Sequence, residues 1–293
     1  MILETPKEAP MHPARRLWTA LEPLHDVVYF APEVRDTGKG LGLRGFWMTY
    51  FAFRAAPFGP VGAGAVVATF AGFEPSMVAK AVPDAWSRTT PARCLAARSE
   101  VAVAVLRKVG VSEQACAEAV GALAPVAASA DATGRALYAA NAELPLPEDP
   151  VAALWQLATT LREHRGDGHV AALLTAGVSG LEALLLQVGL GKFPDRLMRT
   201  VRGWSEDAWA AAADGLRSRG LLAADGTLTE AGADLLESVE VATDERAWSG
   251  ALSPLGSDGV EQVVAVLRPS VVTLWSSGVL PDLNPTGLPP QLA

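Results

Sequence analysis

Apolar side chains recur with helical spacing along almost the whole chain, and this pattern predicts a mostly α fold. The segment 88–140 is rich in alanine and has this helical spacing. Signals for strands are confined to Leu221–Leu228, where Asp225 and Gly226 mark a tight turn. We therefore predict a helical protein that carries one small two-stranded hairpin.

Residues typical of helix ends divide the chain further. Asp149 precedes Pro150, a favourable first position of a helix, and the helical spacing then continues to about His164. Pro23 is expected to kink or restart the first helix, which begins at Pro13. Three more N-caps are predicted in the second half, at Ser179, Ser205 and Thr229.

A linker at 144–148 separates two predicted domains, a helical domain at 13–143 and a second domain at 149–268. The tail 281–293 contains four prolines and is expected to be loose. The pair Leu17-Trp18 recurs as Leu154-Trp155, so the sequence leaves open a weak internal duplication.

In residues 193–240 the predicted order is short helix, longer helix, hairpin and helix. The segments Arg219–Leu222 and Asp225–Gly232 resemble the wing and following helix of MarR-type regulators. At family level the whole chain resembles the actinobacterial SalK-like proteins, which are described as a helix-turn-helix family. This resemblance implies a helical N-terminal half followed by a winged helix-turn-helix-like C-terminal half, and it implies no established activity. The matching segments are Tyr29–Pro32, Arg54–Gly59, Arg162–His169, Arg202–Ser205 and Thr243–Asp244.

The winged-helix resemblance implies that the second helix of the pair enters the major groove of DNA. That helix begins with Glu206 and Asp207, which would face phosphates unfavourably, and the formal net charge of −8 adds repulsion. We therefore expect weak or absent sequence-specific binding. The preceding helix and its approach carry basic residues suited to phosphates but not to base readout: Lys192, Arg196, Arg199 and Arg202.

The stretch Arg162–His169 places six ionisable side chains in eight residues, between two strongly apolar segments. One interpretation is structural: a helix ends near His164, two glycines turn the chain, and Asp167 caps the next helix. The other interpretation is a site. In that case the corner brings the imidazoles of His164 and His169 toward one cavity.

Other parts of the chain would complete such a cavity. His25 lies four residues before Tyr29, and hence on the same helical face, while the aromatic segment 46–53 would form an apolar wall. The ligand-binding candidates are His25, Tyr29, Arg54, Glu163, His164, Arg165, Asp167 and His169.

Imidazoles with a carboxylate suit zinc, iron or haem, so the histidines of this set are also metal candidates: His25, His164 and His169. The sequence contains no compact ligand motif, because His164 and His169 are five residues apart. The cofactor therefore stays unknown at this point.

Composition narrows the class of protein. Apolar residues make up 50% of the chain, which excludes disorder over most of its length. Cys94 and Cys116 lie in Ala-rich segments and are expected to be buried thiols. The N-terminal segment has no secretory signal, so we expect a cytoplasmic protein. The uncharged stretch Ala55–Phe73 is broken by glycine and proline, which predicts buried core and no membrane span.

Two functions stay open. The first is a cytoplasmic small-molecule-binding protein, with or without catalysis, whose pocket lies between its two halves. The second is a MarR-like regulator that senses a ligand and binds DNA through the winged helix. The acidic, Ala-rich second helix favours the first. A homodimer is compatible with the sequence.

Overall fold

The structure is a computed structural model that describes residues 11–284, 286 and 288. It confirms the mostly α fold. In the described residues the predicted hairpin is reduced to one antiparallel bridge between Leu222 and Leu228, so the winged form of the second half stays a prediction. The α-helices are α1 Pro13–Phe30, α2 Glu33–Gly40, α3 Gly45–Ala55, α4 Ala63–Thr69, α5 Pro75–Ala79, α6 Val82–Arg88, α7 Pro91–Lys108, α8 Glu113–Ser129, α9 Ala136–Ala142, α10 Pro150–Thr175, α11 Gly180–Gly189, α12 Asp195–Arg202, α13 Glu206–Ser218, α14 Glu230–Ala247 and α15 Gly256–Ser276.

The buried side chains form two hydrophobic cores. The larger core takes its residues from 14–161 and 247–280, and within it α1 packs on α15 and on α10. The smaller core takes its residues from 172–239, which run from the end of α10 into α14. Because α10 contributes to both cores, its middle turns lie where the cores meet.

The domain bounds 13–143 and 149–268 stay a prediction, and the hydrophobic contacts group the chain differently. The first half of α10 and the whole of α15 share the larger core with the N-terminal helices. Of the tail 281–293, residues 281–284, 286 and 288 are described, and Thr286 donates a hydrogen bond to Asp26. The remainder of that tail lies outside the described residues.

The predicted N-caps are confirmed. The Asp149 carboxylate accepts a hydrogen bond from the backbone N–H of Ala152 at 2.9 Å. Ser179 forms a reciprocal capping box with Glu182, and Ser205 and Thr229 each accept from a backbone N–H in the first turn of their helices. Each such cap stabilises its helix by about 1 kcal/mol. These caps therefore define where the helices around the second core begin.

The predicted break in the polar cluster is wrong, because α10 is one uninterrupted helix of 26 residues. The glycines at 166 and 168 keep ordinary helical φ angles and turn no corner. A helical glycine costs only about 1 kcal/mol relative to alanine, and α10 is buried along most of its length by packing from several other helices. Tertiary packing thus outweighs the local preference.

Gly168 has a packing role. A Cβ at this position would lie 2.5 Å from the Nη1 atom of Arg135. That guanidinium donates hydrogen bonds to the backbone carbonyls of His164 and Arg246. Glycine is therefore favoured at 168 by the close approach of an arginine that hydrogen bonds hold in place, and not by the backbone conformation.

Other expectations are resolved in the same way. Pro23 lies inside α1, which neither stops nor restarts there. Cys94 and Cys116 are buried free thiols, as predicted.

Among the described residues, no single helix has the length and hydropathy to cross a membrane. Two pairs of consecutive segments, each sharply bent between its members, have that length and hydropathy when taken together. They are Gly45–Phe58 with Ala63–Thr69 and Pro150–Thr175 with Gly180–Gly189.

Candidate functional site

A cleft of about 1210 Å³ lies between the two cores. On one side it is lined by α1, α3 and the loop after α4, and on the other side by α11, α12 and the first turns of α14. Between these sides α10 presents a single face of residues at helical spacing. The residues on that face are Arg162, Arg165, Gly166, His169, Val170 and Leu173.

The wall on the α3 side is aromatic. The rings of Tyr29 and Tyr50 are 4.7 Å apart, and the ring of Phe73 lies 5.5 Å from Tyr50 and 5.8 Å from Trp47. Spacings of this size are those of favourable ring pairs. Phe46 lies on the same wall and is 41% exposed, so an apolar side chain marks the opening to solvent. We refer to Tyr29, Phe46, Trp47, Tyr50 and Phe73 as the aromatic wall.

Buried ion pairs lie beside this wall. Arg54 donates two hydrogen bonds to the carboxylate of Glu163, at 3.0 and 2.9 Å. Arg162 donates to Glu163 at 2.9 Å and to Glu22 at 3.1 Å. Desolvation alone would raise the pKa of Glu163, but the charges of Arg162 and Arg54 outweigh it and lower that pKa to about 2. Glu163 is therefore ionised and fully engaged by arginines.

Arg202, the last residue of α12, reaches the same place from the opposite core. Its guanidinium lies 4.4 Å from the centre of the Phe73 ring. Burial lowers its pKa, as do the like charges of Arg54 and Arg162, while Tyr50 raises that pKa through its partial charge and a hydrogen bond. We call Arg54, Arg162 and Arg202 the arginine cluster.

The other end of the cleft has a different charge balance. Arg165 donates to Glu240 at 3.1 Å and to Asp244 at 2.8 Å, and its guanidinium lies 4.9 Å from the Trp18 ring centre. The Nδ1 atom of His169 is 3.0 Å from the Thr243 hydroxyl. That hydroxyl already donates to a backbone carbonyl, so the imidazole carries its hydrogen on Nδ1 and has an acceptor lone pair on Nε2.

Several predicted site residues lie away from the cleft. Asp167 accepts hydrogen bonds from the backbone N–H groups of Leu137 and Tyr138, so it caps α9 and not a following helix as predicted. Burial raises the pKa of Asp167 to about 6. His164 packs edge-on against Tyr138, with ring centres 4.9 Å apart. It lines only a separate void of about 20 Å³.

The expectation that His164 and His169 face one cavity is therefore wrong. Five residues along a continuous helix correspond to about 140° of rotation at 3.6 residues per turn. His164 is 1% exposed and burial, followed by the charge of Arg135, lowers its pKa to about 4. Only His169 of this pair lines the cleft.

His25 lies one layer behind the aromatic wall. Its ring centre is 5.0 Å from that of Tyr29, and its Nδ1 atom is 2.9 Å from the Thr159 hydroxyl. Burial lowers its pKa well below the usual value. In the part of the chain that the structure describes, no group of three or more His, Cys, Asp or Glu side chains could hold a metal ion. The three histidine candidates are not brought together as a metal site.

The basic residues predicted to face DNA phosphates are dispersed. Lys192 and Arg202 line the cleft. Arg199 donates to Glu206 at 2.6 Å, at the start of α13, and Arg196 is exposed on α12. Their role with DNA stays a prediction, as do the ligand contacts of Tyr29, Arg54, Arg165 and His169, which do line the cleft.

Sequence reasoning missed several residues of the cleft. Arg162 lies within the polar cluster. In an uninterrupted helix its spacing from Arg165, Gly166 and His169 places all four residues on one face, and this spacing could have identified it. Others had no local signal because distant segments bring them together: Trp18, Glu22 and Glu240.

Comparison with known proteins identifies the family of the chain. A family model described as a helix-turn-helix family matches residues 14–281. Neither a curated protein nor a solved structure matches the chain. The match spans both cores and every helix that lines the cleft, so the chain belongs to this helix-turn-helix family.

Proposed function

We propose that this protein binds a small molecule in the cleft between its two cores. The observation that carries the proposal is the cleft itself, about 1210 Å³ in volume, with an aromatic wall on one side and paired charged groups along α10. Ligand sites in proteins are concave, mostly apolar, and equipped with a few well-placed polar groups. The cleft has this composition.

The size and position of the cleft support the same function. Typical pockets for drug-sized ligands measure about 300–1,000 Å³, so this cleft has room for a ligand at or above the top of that range. Phe46 and Leu190 line it from opposite sides and are 41% and 48% exposed. These two side chains give an apolar ligand a route from solvent to the interior.

The proposal is tested by filling the cleft. Gly166 faces the cleft in the middle of α10, and a Cβ there meets only Glu163 Oε2 at 3.6 Å. Gly121 is an exposed helical glycine in α8 with open space around it. The variants Gly166→Phe and Gly121→Phe therefore add the same bulk inside and outside the site.

Binding is measured with N-phenylnaphthylamine, a neutral apolar fluorophore, titrated into the full chain. We expect saturable binding at one probe per chain, retained in Gly121→Phe and reduced at least about tenfold in affinity in Gly166→Phe, because that ring occupies the cleft. Native mass spectrometry would show any ligand that copurifies. Absence of saturable binding, or equal binding to both variants, would contradict the proposal.

A second candidate function is a ligand-responsive regulator that binds DNA, as the MarR-type resemblance of residues 193–240 implies. Two observations favour it: the match to a helix-turn-helix family, and the position of α12, which lines the cleft through Met198 and Arg202 and leads directly into α13. A ligand would then act on the helix pair through α12. The exposed acidic start of α13, at Glu206 and Asp207, opposes strong sequence-specific binding.

This second function predicts DNA binding that a cleft ligand changes. A gel-shift series at increasing salt, with and without N-phenylnaphthylamine, measures it. Specific binding at physiological salt that resists scrambled competitor DNA would support regulation. Binding that disappears steeply with salt and shows no sequence preference would leave only weak phosphate contact.

A further inference from the structure

We infer that the ligand of the cleft is a hydroxylated aromatic compound whose hydroxyl group donates a hydrogen bond to the Nε2 atom of His169. This inference rests on the proposed function and specifies the chemistry of the ligand. It combines the orientation of the His169 imidazole, the unpaired polar atoms and the charges around it, and the open space beside it on α10.

The imidazole of His169 is held so that its free edge faces the cleft. Its Nδ1 atom is 3.0 Å from the hydroxyl of Thr243, which is fully buried and donates its own hydrogen to the carbonyl of Val239. The Nδ1 edge therefore faces the protein, while the side chain is 30% exposed and lines the cleft. In the described part of the chain no group makes a hydrogen bond to Nε2. This atom is open to a ligand.

The open Nε2 atom is an acceptor. Nδ1 carries the hydrogen that the Thr243 hydroxyl accepts, so the lone pair of the neutral ring is on Nε2. Burial lowers the pKa of His169 below its usual value, which keeps the ring neutral at neutral pH. Thr243 thus fixes the tautomer as well as the orientation of the ring. The group that binds Nε2 must therefore be a hydrogen-bond donor.

Two further polar atoms near His169 lack partners. Arg165, one helical turn earlier on the same face, has a buried Nε donor, and Gln187 lines the cleft from α11 with a buried amide oxygen acceptor. Among the described residues neither atom has a hydrogen-bond partner. A hydroxyl group donates and accepts at once, whereas an ammonium group only donates and a carboxylate only accepts. A hydroxyl therefore suits a region that contains unpaired atoms of both kinds.

The charges around His169 also favour a neutral group. The charged groups that most affect the pKa of this imidazole are two carboxylates and two cations: Glu240, Asp244, Arg165 and Lys192. Both carboxylates are already paired with Arg165, at 3.1 and 2.8 Å. An ammonium ion at Nε2 would therefore meet carboxylates that already have a cationic partner, and it would be repelled by Lys192. A hydroxyl group supplies the hydrogen without a charge.

Space for an aromatic ring lies directly beside His169. Gly166 is one helical turn away on the same face of α10, and a Cβ there would meet only the Glu163 carboxylate, at 3.6 Å. A flat ring can therefore lie against the helix at Gly166 with its hydroxyl toward His169. Leu173, one turn after His169, lines the cleft and adds apolar contact.

Two probes that differ in one hydrogen-bond donor test the inference. β-Naphthol and its methyl ether share a ring system and an oxygen atom, but the ether lacks the hydrogen that Nε2 would accept. Each is used to displace N-phenylnaphthylamine from the full chain, from His169→Phe, from His169→Gln and from His12→Phe. His12 is the matched control, because its side chain is 28% exposed, close to the 30% of His169, and lies outside the cleft lining.

We expect β-naphthol to bind wild type at least about fivefold more tightly than the ether, as one net hydrogen bond allows. His169→Phe keeps an aromatic ring but lacks Nε2, so this preference should disappear. His169→Gln places an amide oxygen near the position of Nε2 and should retain part of it, while His12→Phe should leave it unchanged. Circular dichroism confirms folding. The nitrogen NMR resonance of His169 Nε2 should shift with β-naphthol and not with the ether.

The outcomes separate the inference from the proposed function. If β-naphthol and the ether bind wild type equally, or if His169→Phe keeps the full preference, the inference is wrong while the cleft remains a ligand site. If N-phenylnaphthylamine binds but neither compound displaces it, the inference is also wrong. If N-phenylnaphthylamine itself shows no saturable binding, both the inference and the proposed function are contradicted.

Discussion

The two faces of α10 carry side chains of the same types and use them differently. On the buried face, Glu163, His164 and Asp167 are 9% exposed or less, and each is held within the protein by arginines, rings or backbone N–H groups. On the cleft face, Arg165 and His169 border open volume. The polar cluster Arg162–His169 therefore contributes both to a buried hydrogen-bond network and to the lining of the candidate ligand site.

A high density of charged residues along the sequence therefore does not by itself locate a binding site. The buried carboxylates of Glu163 and Asp167 are hydrogen-bonded within the protein, and removing the partner of such a group leaves it unpaired in a low dielectric. Groups beside a cavity keep part of their hydrogen-bonding capacity for a ligand. We therefore expect substitutions on the buried face to change mainly stability and substitutions on the cleft face to change mainly binding.

The largest effect is expected from Glu163→Gln. It removes the carboxylate shared by Arg54 and Arg162, and losing one partner of a buried ion pair costs about 3–5 kcal/mol of unfolding free energy. The control is Glu240→Gln on the cleft face, where the side chain is 26% exposed and the cost should be about 1 kcal/mol or less. Urea denaturation measures both, and equal costs would remove the distinction between the faces.

Acid should weaken the same network. The pKa of Glu163 is about 2, against an ordinary value of 4.5 for a glutamate. Its stabilisation is therefore present above pH 4.5 and is lost as pH falls toward 2, by about 3 kcal/mol in total. Burial lowers the pKa of His164 from 6.5 to about 4, so the imidazole stays neutral in the folded protein while it takes up a proton in the unfolded chain. The free energy of unfolding therefore falls as pH decreases from 6.5 to 4. Asp167 has the opposite effect: its pKa is raised from 3.8 to about 6, so its contribution to the free energy of unfolding increases as pH falls from 6 to 3.8.

Chemical denaturation at a series of pH values tests this dependence. Wild type should lose stability between pH 4.5 and pH 2, and Glu163→Gln should show a flatter profile over that window. A parallel decline in both proteins would assign the acid sensitivity to other carboxylates.

The two glycines of the cluster should respond in opposite directions. Gly168→Ala places a Cβ against Arg135, whose hydrogen bonds hold it in place, so we expect a loss of about 1–3 kcal/mol. Gly166→Ala meets only an ordinary contact and should gain up to about 1 kcal/mol from helix propensity. Thermal and urea unfolding of both variants give the comparison, which fails if Gly168→Ala is neutral.

The smallest effect on stability is expected from His169→Ala. Its imidazole is 30% exposed and makes one hydrogen bond to Thr243, so the cost should be no more than about 1 kcal/mol. Binding of N-phenylnaphthylamine should nevertheless change, since His169 lines the cleft. Unchanged binding together with unchanged stability would show that His169 plays no part in the site.

The helical fold and its caps followed from local sequence, whereas the arrangement of the cluster did not. Ser205 and Thr229 have the chemistry of N-caps wherever they occur, and the structure confirms them. The continuity of α10 depends on packing from α8, α9 and α14, and Gly168 serves Arg135, which lies 33 positions earlier in the sequence. No local pattern contains that information.

Hydrogen exchange of the full chain with and without N-phenylnaphthylamine shows where the ligand binds, because it reports where a bound molecule protects the backbone. We expect added protection in peptides covering 45–54, 162–173 and 198–204, which line the cleft from both sides. Peptides of α8, remote from the cleft lining, should be unchanged. Protection confined to α8 or to the exposed face of α13, with none in 162–173, would contradict a ligand site between the two cores.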